Sequence, residues 1–126
     1  MATAASRILL VEDEKDILST LKRGLESEGF AVTAFNRPEE ALAKYDHAEY
    51  DLALLDVRMP GMNGFELARA LWEKNPGLQI CFLTAFEIYA AEARRALPSL
   101  KNYCFLTKPI AIEALAKHIR THLARR

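Results

Sequence analysis

The chain has 126 residues, with 17 basic and 17 acidic side chains and a hydrophobic share of 51%. That is enough for one domain with a real core, too little for two ordinary domains, and too apolar for a disordered segment. Zero formal net charge excludes the basic footprint of a nucleic-acid binder, and no apolar stretch approaches the ~20 residues of a membrane span.

Residues 1–6 are small and polar, carry no apolar signal core, and are expected to be disordered. Arg7–Val11 reads as a buried strand. Ile17, Leu18, Leu21 and Leu25 then recur at helical spacing, and Gly29 stops that helix. Ala31–Phe35 is the second strand. Asn36 with Glu39 offers a capping box, Pro38 suits a first turn, and the helix runs to about Asp46. Residues 51–55 form a third strand that is apolar on both faces, as a central parallel strand requires. Met59-Pro60-Gly61-Met62 is a loop, and Asn63 with Glu66 offers a second capping box. That helix ends near Asn75-Pro76-Gly77.

Residues 79–83 are the fourth strand, 87–97 a helix broken by Pro98-Ser99, and 103–106 the fifth strand. Ile112, Leu115, Ile119 and Leu123 give the last helix one apolar stripe. Five βα units result, within a single domain over 1–126. Right-handed crossovers put helices on both faces of a parallel sheet, an α/β three-layer sandwich.

Cys81 and Cys104 fall inside the last two strands. They are expected to be buried reduced thiols, and their spacing, with no nearby histidine, does not suggest a metal site. With no signal core, this points to the cytoplasm. His47, His118 and His122 are expected on the surface with no catalytic role. Lys117, His118, Arg120, His122, Arg125 and Arg126 close the last helix, where cations oppose its dipole.

Chemistry gathers at the strand ends. Glu12-Asp13, Asp56 and Lys108 each follow a short apolar run, and the run 80–83 ends at Thr84. In an open parallel sheet these carboxyl ends share one edge, where ligands bind. Two acids meeting there repel unless a cation joins them. Mg²⁺ uses one or two carboxylates plus a phosphate. Asp13 is the better direct ligand, Glu12 acts through water, and the Arg58 backbone carbonyl supplies a further oxygen. Asp56 is also a candidate nucleophile, since carboxylates form acyl phosphates. Lys108 and Thr84 would then meet the phosphoryl oxygens. Each of these residues alone is an ordinary strand-end side chain. Pro109 restricts the Lys108 backbone and permits a cis bond.

Leu9-Leu10-Val11-Glu12-Asp13-Glu14, Asp56-Val57-Arg58-Met59-Pro60-Gly61-Met62-Asn63-Gly64, Leu83-Thr84-Ala85 and Lys108-Pro109 together resemble the receiver domain of two-component response regulators. The likeness covers roughly residues 7–123. It implies a flavodoxin-like fold of strand order 2-1-3-4-5 and a phosphoacceptor switch dependent on Mg²⁺ or Mn²⁺. Such a switch catalyses only its own phosphorylation and dephosphorylation. The resemblance makes Asp56 the phosphorylated residue, Glu12 and Asp13 the acidic pair, Thr84 the switch hydroxyl, Lys108 the phosphate contact and Phe105 the switch aromatic. It implies a phosphohistidine donor on a sensor histidine kinase or phosphotransfer protein. It also implies a downstream protein or output domain, and admits a phosphorylation-dependent homodimer. No nucleic acid or membrane is expected to bind this domain directly.

On that likeness, Thr84 turns toward the phosphoryl group and Phe105 takes the vacated space. The face built by the 87–97 helix, the fifth strand and the last helix then changes shape. Arg58 and Phe86 flank the acyl phosphate, and a bulky Phe86 is expected to slow water attack. Leu97-Pro98-Ser99-Leu100-Lys101-Asn102 stands where many relatives carry Gly-Ala, on the face to which the resemblance assigns output. A haloacid-dehalogenase-type phosphatase is the competing reading. It wants an acid two residues after the nucleophile, and Arg58 stands there.

Overall fold

In the computed structural model the described residues are 5–46, 49–85 and 103–124. The helix expected over 87–97, the segment 97–102, Phe86 and His47 lie outside them. Five strands form one parallel sheet: β1 (Arg7–Val11), β2 (Ala31–Phe35), β3 (Leu52–Asp56), β4 (Gln79–Thr84) and β5 (Tyr103–Thr107). Their order is β2-β1-β3-β4-β5, as expected of a flavodoxin-like fold. Four helices are described: α1 (Lys15–Ser27), α2 (Pro38–Lys44), α3 (Gly64–Lys74) and α4 (Ile112–Ala124).

Strand alternation divides the core in two. Leu9, Val11, Ala53, Leu55, Ile80 and Phe82 face one layer, packed with Leu67, Leu71 and Trp72 of α3. Ile8, Leu10, Leu52, Leu54, Cys81 and Leu83 face the other, packed with Leu25 of α1 and Leu115 and Ile119 of α4. Both faces of β3 and β4 are buried along their whole length. That is why these strands read as unbroken apolar runs instead of alternating ones. Edge strand β2 has no fully buried residue.

The expected ends hold with local exceptions. Gly29 has φ 98°, the left-handed conformation that ends α1 at little cost. The Asn63–Glu66 capping box is complete. Glu66 N donates to Asn63 Oδ1 at 2.9 Å and Asn63 N to Glu66 Oε1 at 3.0 Å.

The box expected at Asn36 does not form. Arg37 is the N-cap of α2 and makes no side-chain cap bond, so Asn36 stands one residue too early. Helix α2 also stops at Lys44, short of Asp46. Tyr45 turns extended there, stacks on Tyr50 at 5.7 Å and accepts a bond from Asn75 Nδ2 at 3.2 Å. Strand β3 starts one residue late, because the Asp51 carboxylate accepts from Arg7 N at 2.8 Å.

The cysteine expectation is overturned. Cys81 and Cys104 are register partners on β4 and β5, and their sulfurs are joined as a disulfide. His122 is half-buried, not on the surface, and lies beside them. The last turn of α4 brings it there, a proximity that sequence spacing does not reveal. His118 is exposed, as expected.

Candidate functional site

Four strand ends build one cleft. Pairing carries β1 past Val11, where Glu12 N donates to Phe35 O at 3.2 Å, and this delivers Glu12 and Asp13. Asp56 is the last residue of β3, held by Val57 N donating to Leu83 O at 3.1 Å. Thr84 ends β4. Lys108 follows β5, and its N–H donates to Thr84 O at 2.8 Å. The Lys108–Pro109 peptide is cis.

Lys108 Nζ donates to Glu12 Oε1 at 2.6 Å and to Asp56 Oδ1 at 3.2 Å. The second Glu12 oxygen accepts from Glu14 N at 3.1 Å. Glu12, Asp56 and Thr84 are buried, at 1%, 6% and 4% exposure. Carboxylate oxygens of Glu12, Asp13 and Asp56 lie within 4.8 Å of one another. A cleft of about 210 Å³ opens beside them, lined by Asp13, Asp56, Arg58, Thr84 and Lys108 among others. The structure thus brings Glu12, Asp13, Asp56, Arg58, Thr84 and Lys108 to one place.

Burial pushes the Glu12 carboxyl up to about 7, against the bond from Lys108. Burial also raises Asp56, again opposed by Lys108. At Lys108 burial disfavours the charge, but Glu12 and Asp56 outweigh it and hold the ammonium above its ordinary range. Lys108 bonds two of the three clustered acids, so the set holds more carboxylates than the ammonium pairs, and its acids offer oxygen donors only. Such a set fits a hard divalent cation, which would let all three acids ionise together.

Phe105 lies outside the cleft. It is half-buried, stacked on Phe82 at 5.2 Å and edge-on to Phe65 at 6.2 Å. Phe105 is the register partner of Phe82, and Phe82 and Thr84 share a sheet face. Thr84 and Phe105 therefore face the same layer.

Two features were missed from sequence. Lys108 lies closer to Glu12 than to Asp56, so Glu12 is its main anchor as well as part of the acidic set. Gly64 is the other. A Cβ there would run into the Asp56 carbonyl oxygen and come within 2.9 Å of Val57 Cα. The first residue of α3 can lie this close under the Asp56–Val57 peptide only as glycine. The signal available was the glycine itself, directly after the cap Asn63.

The family model of the response regulator receiver domain matches residues 8–120. The chain is 35% identical over 117 residues to the response regulator receiver protein CpdR of Brucella abortus, covering 93% of this chain and 96% of that protein. It is 37% identical over 119 residues to the transcriptional regulatory protein CreB of Escherichia coli, covering 94% of this chain and 51% of CreB. A CheY-like receiver domain protein of Methanospirillum hungatei superposes with a TM-score of 0.83 at 28% identity, covering 96% of this chain and 95% of that one. The response regulator TrrA of Thermotoga maritima, solved in complex with Mg²⁺-BeF, superposes at 0.80 and 31% identity, covering 93% and 98%.

Proposed function

The chain belongs to the response regulator receiver domain family, and we propose that it accepts a phosphoryl group on Asp56 and relays that event to a partner. The observation that carries this reading is the Asp56 carboxylate in its cleft, 3.2 Å from Lys108 Nζ and grouped with Glu12 and Asp13. The donor is a phosphohistidine on a sensor kinase or phosphotransfer protein in the cytoplasm. The recipient of the signal is a downstream protein or output domain.

The Asp56 carboxylate attacks phosphorus. An O–P bond forms as the donor's N–P bond breaks, and the leaving imidazole takes up a proton. Burial raises the Asp56 carboxyl and disfavours its charge, while the Lys108 contact favours the ionised nucleophile. The same ammonium is within reach of the charge on the phosphoryl oxygens. Glu12, Asp13, Asp56 and the Arg58 carbonyl are the groups that would hold Mg²⁺, which neutralises phosphoryl charge when bound. The Mg²⁺-BeF complex of TrrA supports that assignment by likeness. Thr84 donates its hydroxyl to the new phosphate, and Phe105 moves toward the space Thr84 leaves. Their placement toward one layer supports the pairing. The chain thereby acts as a switch that turns over only its own phosphate.

Incubation with acetyl phosphate and Mg²⁺, followed by intact mass measurement, tests the reading. One phosphoryl group per chain is expected, absent in Asp56→Asn and after chelation. Loading that persists in Asp56→Asn would place the acceptor elsewhere.

Cation binding also has a definite pH dependence. With the Glu12 carboxyl at about 7, a proton must leave before the acidic set is fully charged. Mg²⁺ affinity is expected to rise up to about tenfold per pH unit below that point and to level off above it. Calorimetry at pH 6 in two buffers of different ionisation enthalpy should show proton release, and at pH 8 almost none. Equal release at both pH values would contradict a protonated Glu12.

A further inference from the structure

Cys81 and Cys104 belong to no step proposed for the acidic cleft. They oppose each other on β4 and β5, with Cα atoms 4.6 Å apart. A ring nitrogen of His122 on α4 joins them, and the three donor atoms lie within 4.8 Å of one another. Cys81 is fully buried, while Cys104 and His122 are half-buried. By strand parity this cluster faces the layer of α1 and α4, while Thr84 faces the layer of α2 and α3.

We propose that Cys81, Cys104 and His122 form a Cys₂His site for a thiophilic divalent cation of the zinc type, filled when the disulfide is reduced.

The donor chemistry selects the ion. Two sulfurs and an imidazole suit zinc, whereas magnesium and calcium take oxygen ligands. Tetrahedral zinc holds sulfur at about 2.3 Å and nitrogen at about 2.0 Å, which sets neighbouring donors roughly 3.5–3.8 Å apart. The donor atoms lie within 4.8 Å of one another, so an adjustment of about 1 Å meets that spacing, and rotation at the two cysteine side chains separates the sulfurs once their bond is broken. Three elements, β4, β5 and α4, each bring one ligand. Their positions are held by packing of Leu83, Leu106, Leu115 and Ile119. The fourth position is left for water or another small ligand, as in three-ligand zinc centres.

Charge gives the second argument. Two thiolates in an apolar layer are costly, so without a cation the pair stays protonated or oxidised. A divalent cation cancels both charges. Disulfide and metal site draw on the same sulfurs, so each form excludes the other.

The interconversion balances. A dithiol reductant attacks the disulfide through a mixed disulfide. It supplies two electrons and two protons, leaving Cys81 and Cys104 as thiols and itself as a disulfide. Cation binding then releases those two thiol protons, and His122 contributes a neutral nitrogen lone pair. A disulfide oxidant reverses the change by taking two electrons from the thiolates as the cation leaves. The cytosol keeps thiols reduced, so the metal-competent form is the one expected there.

The test uses the full chain, reduced with a phosphine without oxygen. Excess Mg²⁺ is present to fill the acidic cleft, and Co²⁺ stands in for Zn²⁺. Thiolate-to-cobalt charge-transfer absorption is expected, saturating at one ion per chain and abolished by one equivalent of Zn²⁺. The disulfide form should give no such band, and Asp56→Asn should keep it. Cys81→Ser and Cys104→Ser should each remove it. His122→Gln leaves both thiols and should weaken Zn²⁺ binding by about tenfold or more, at least the loss caused by disturbing an outer partner of a metal ligand. Because reduced and oxidised wild type are compared directly, a cysteine variant that fails to fold does not spoil the experiment. Absence of the band in reduced wild type, its presence in the disulfide form, or unchanged affinity in His122→Gln overturns the proposal.

Discussion

Lys108→Met is expected to lose about 3–5 kcal/mol of folding stability at pH 8 and much less at pH 5, the range reported when one partner of a buried ion pair is removed. Lys108 Nζ is the cation bonded to both Glu12 and Asp56, and those carboxyls are 1% and 6% exposed. Without it, two carboxylates remain in a poorly solvated cleft beside Asp13. The sign with pH follows from protons. Glu12 is raised from 4.5 to about 7 in the fold, so between those values the folded chain holds more protons than the unfolded one. The contribution from this group is complete below the unfolded value and is lost as pH rises through the folded one. Removing Lys108 raises Glu12 and Asp56 further, so the loss grows over the same direction of pH. Urea unfolding at both pH values measures it. Mg²⁺ should restore part of the stability at pH 8, since a cation replaces the missing charge. A loss equal at pH 5 and pH 8 would show that Lys108 stabilises by packing and not by charge.

Gly64→Ala is expected to cost about 1–3 kcal/mol, with slower phosphoryl loading in the molecules that still fold. The added methyl meets the backbone of the Asp56–Val57 peptide, and backbone cannot rotate away as a side-chain tip can. Relief must come from moving the start of α3 or the end of β3. The first strains the bond from Gly64 N to Val57 O, now 2.9 Å, and the Asn63–Glu66 cap. The second shifts the proposed acceptor relative to Lys108. Thermal unfolding and the rate of loading from acetyl phosphate report the two effects separately. Wild-type stability together with a wild-type rate would mean the contact is easily relieved.

The sheet was legible because its signal is redundant. Strands 8–11, 52–55 and 80–83 are apolar on both faces, and each ends in a residue whose chemistry announces an edge. Asn63 and Glu66 were readable for a similar reason, since two residues at fixed spacing serve each other. Asn36 and Glu39 have that spacing too, yet Arg37 starts the helix. Spacing does not say which residue takes the extended cap conformation. Gly64 was read as part of a motif, but its close approach to β3 exists only after α3 has docked. The cysteines were misread for a like reason. Strand assignment put each in its strand, whereas the direct opposition of Cys81 and Cys104 depends on register. His122 depends further on how α4 crosses the sheet. Short-range pattern carries neither quantity.

The amide of Lys108 is bonded to the carbonyl of Thr84, so the ends of β4 and β5 are tied by main chain at the lip of the cleft. Sliding one strand past the other would break that tie and turn every side chain to the wrong layer. In the proposed switch, a message leaving this edge is therefore carried by torsions about Cα–Cβ and Cβ–Cγ axes, while the paired ends of β4 and β5 stay in register. The molecule is built less like a lever than like a keyboard, whose frame holds fast so that single keys can move.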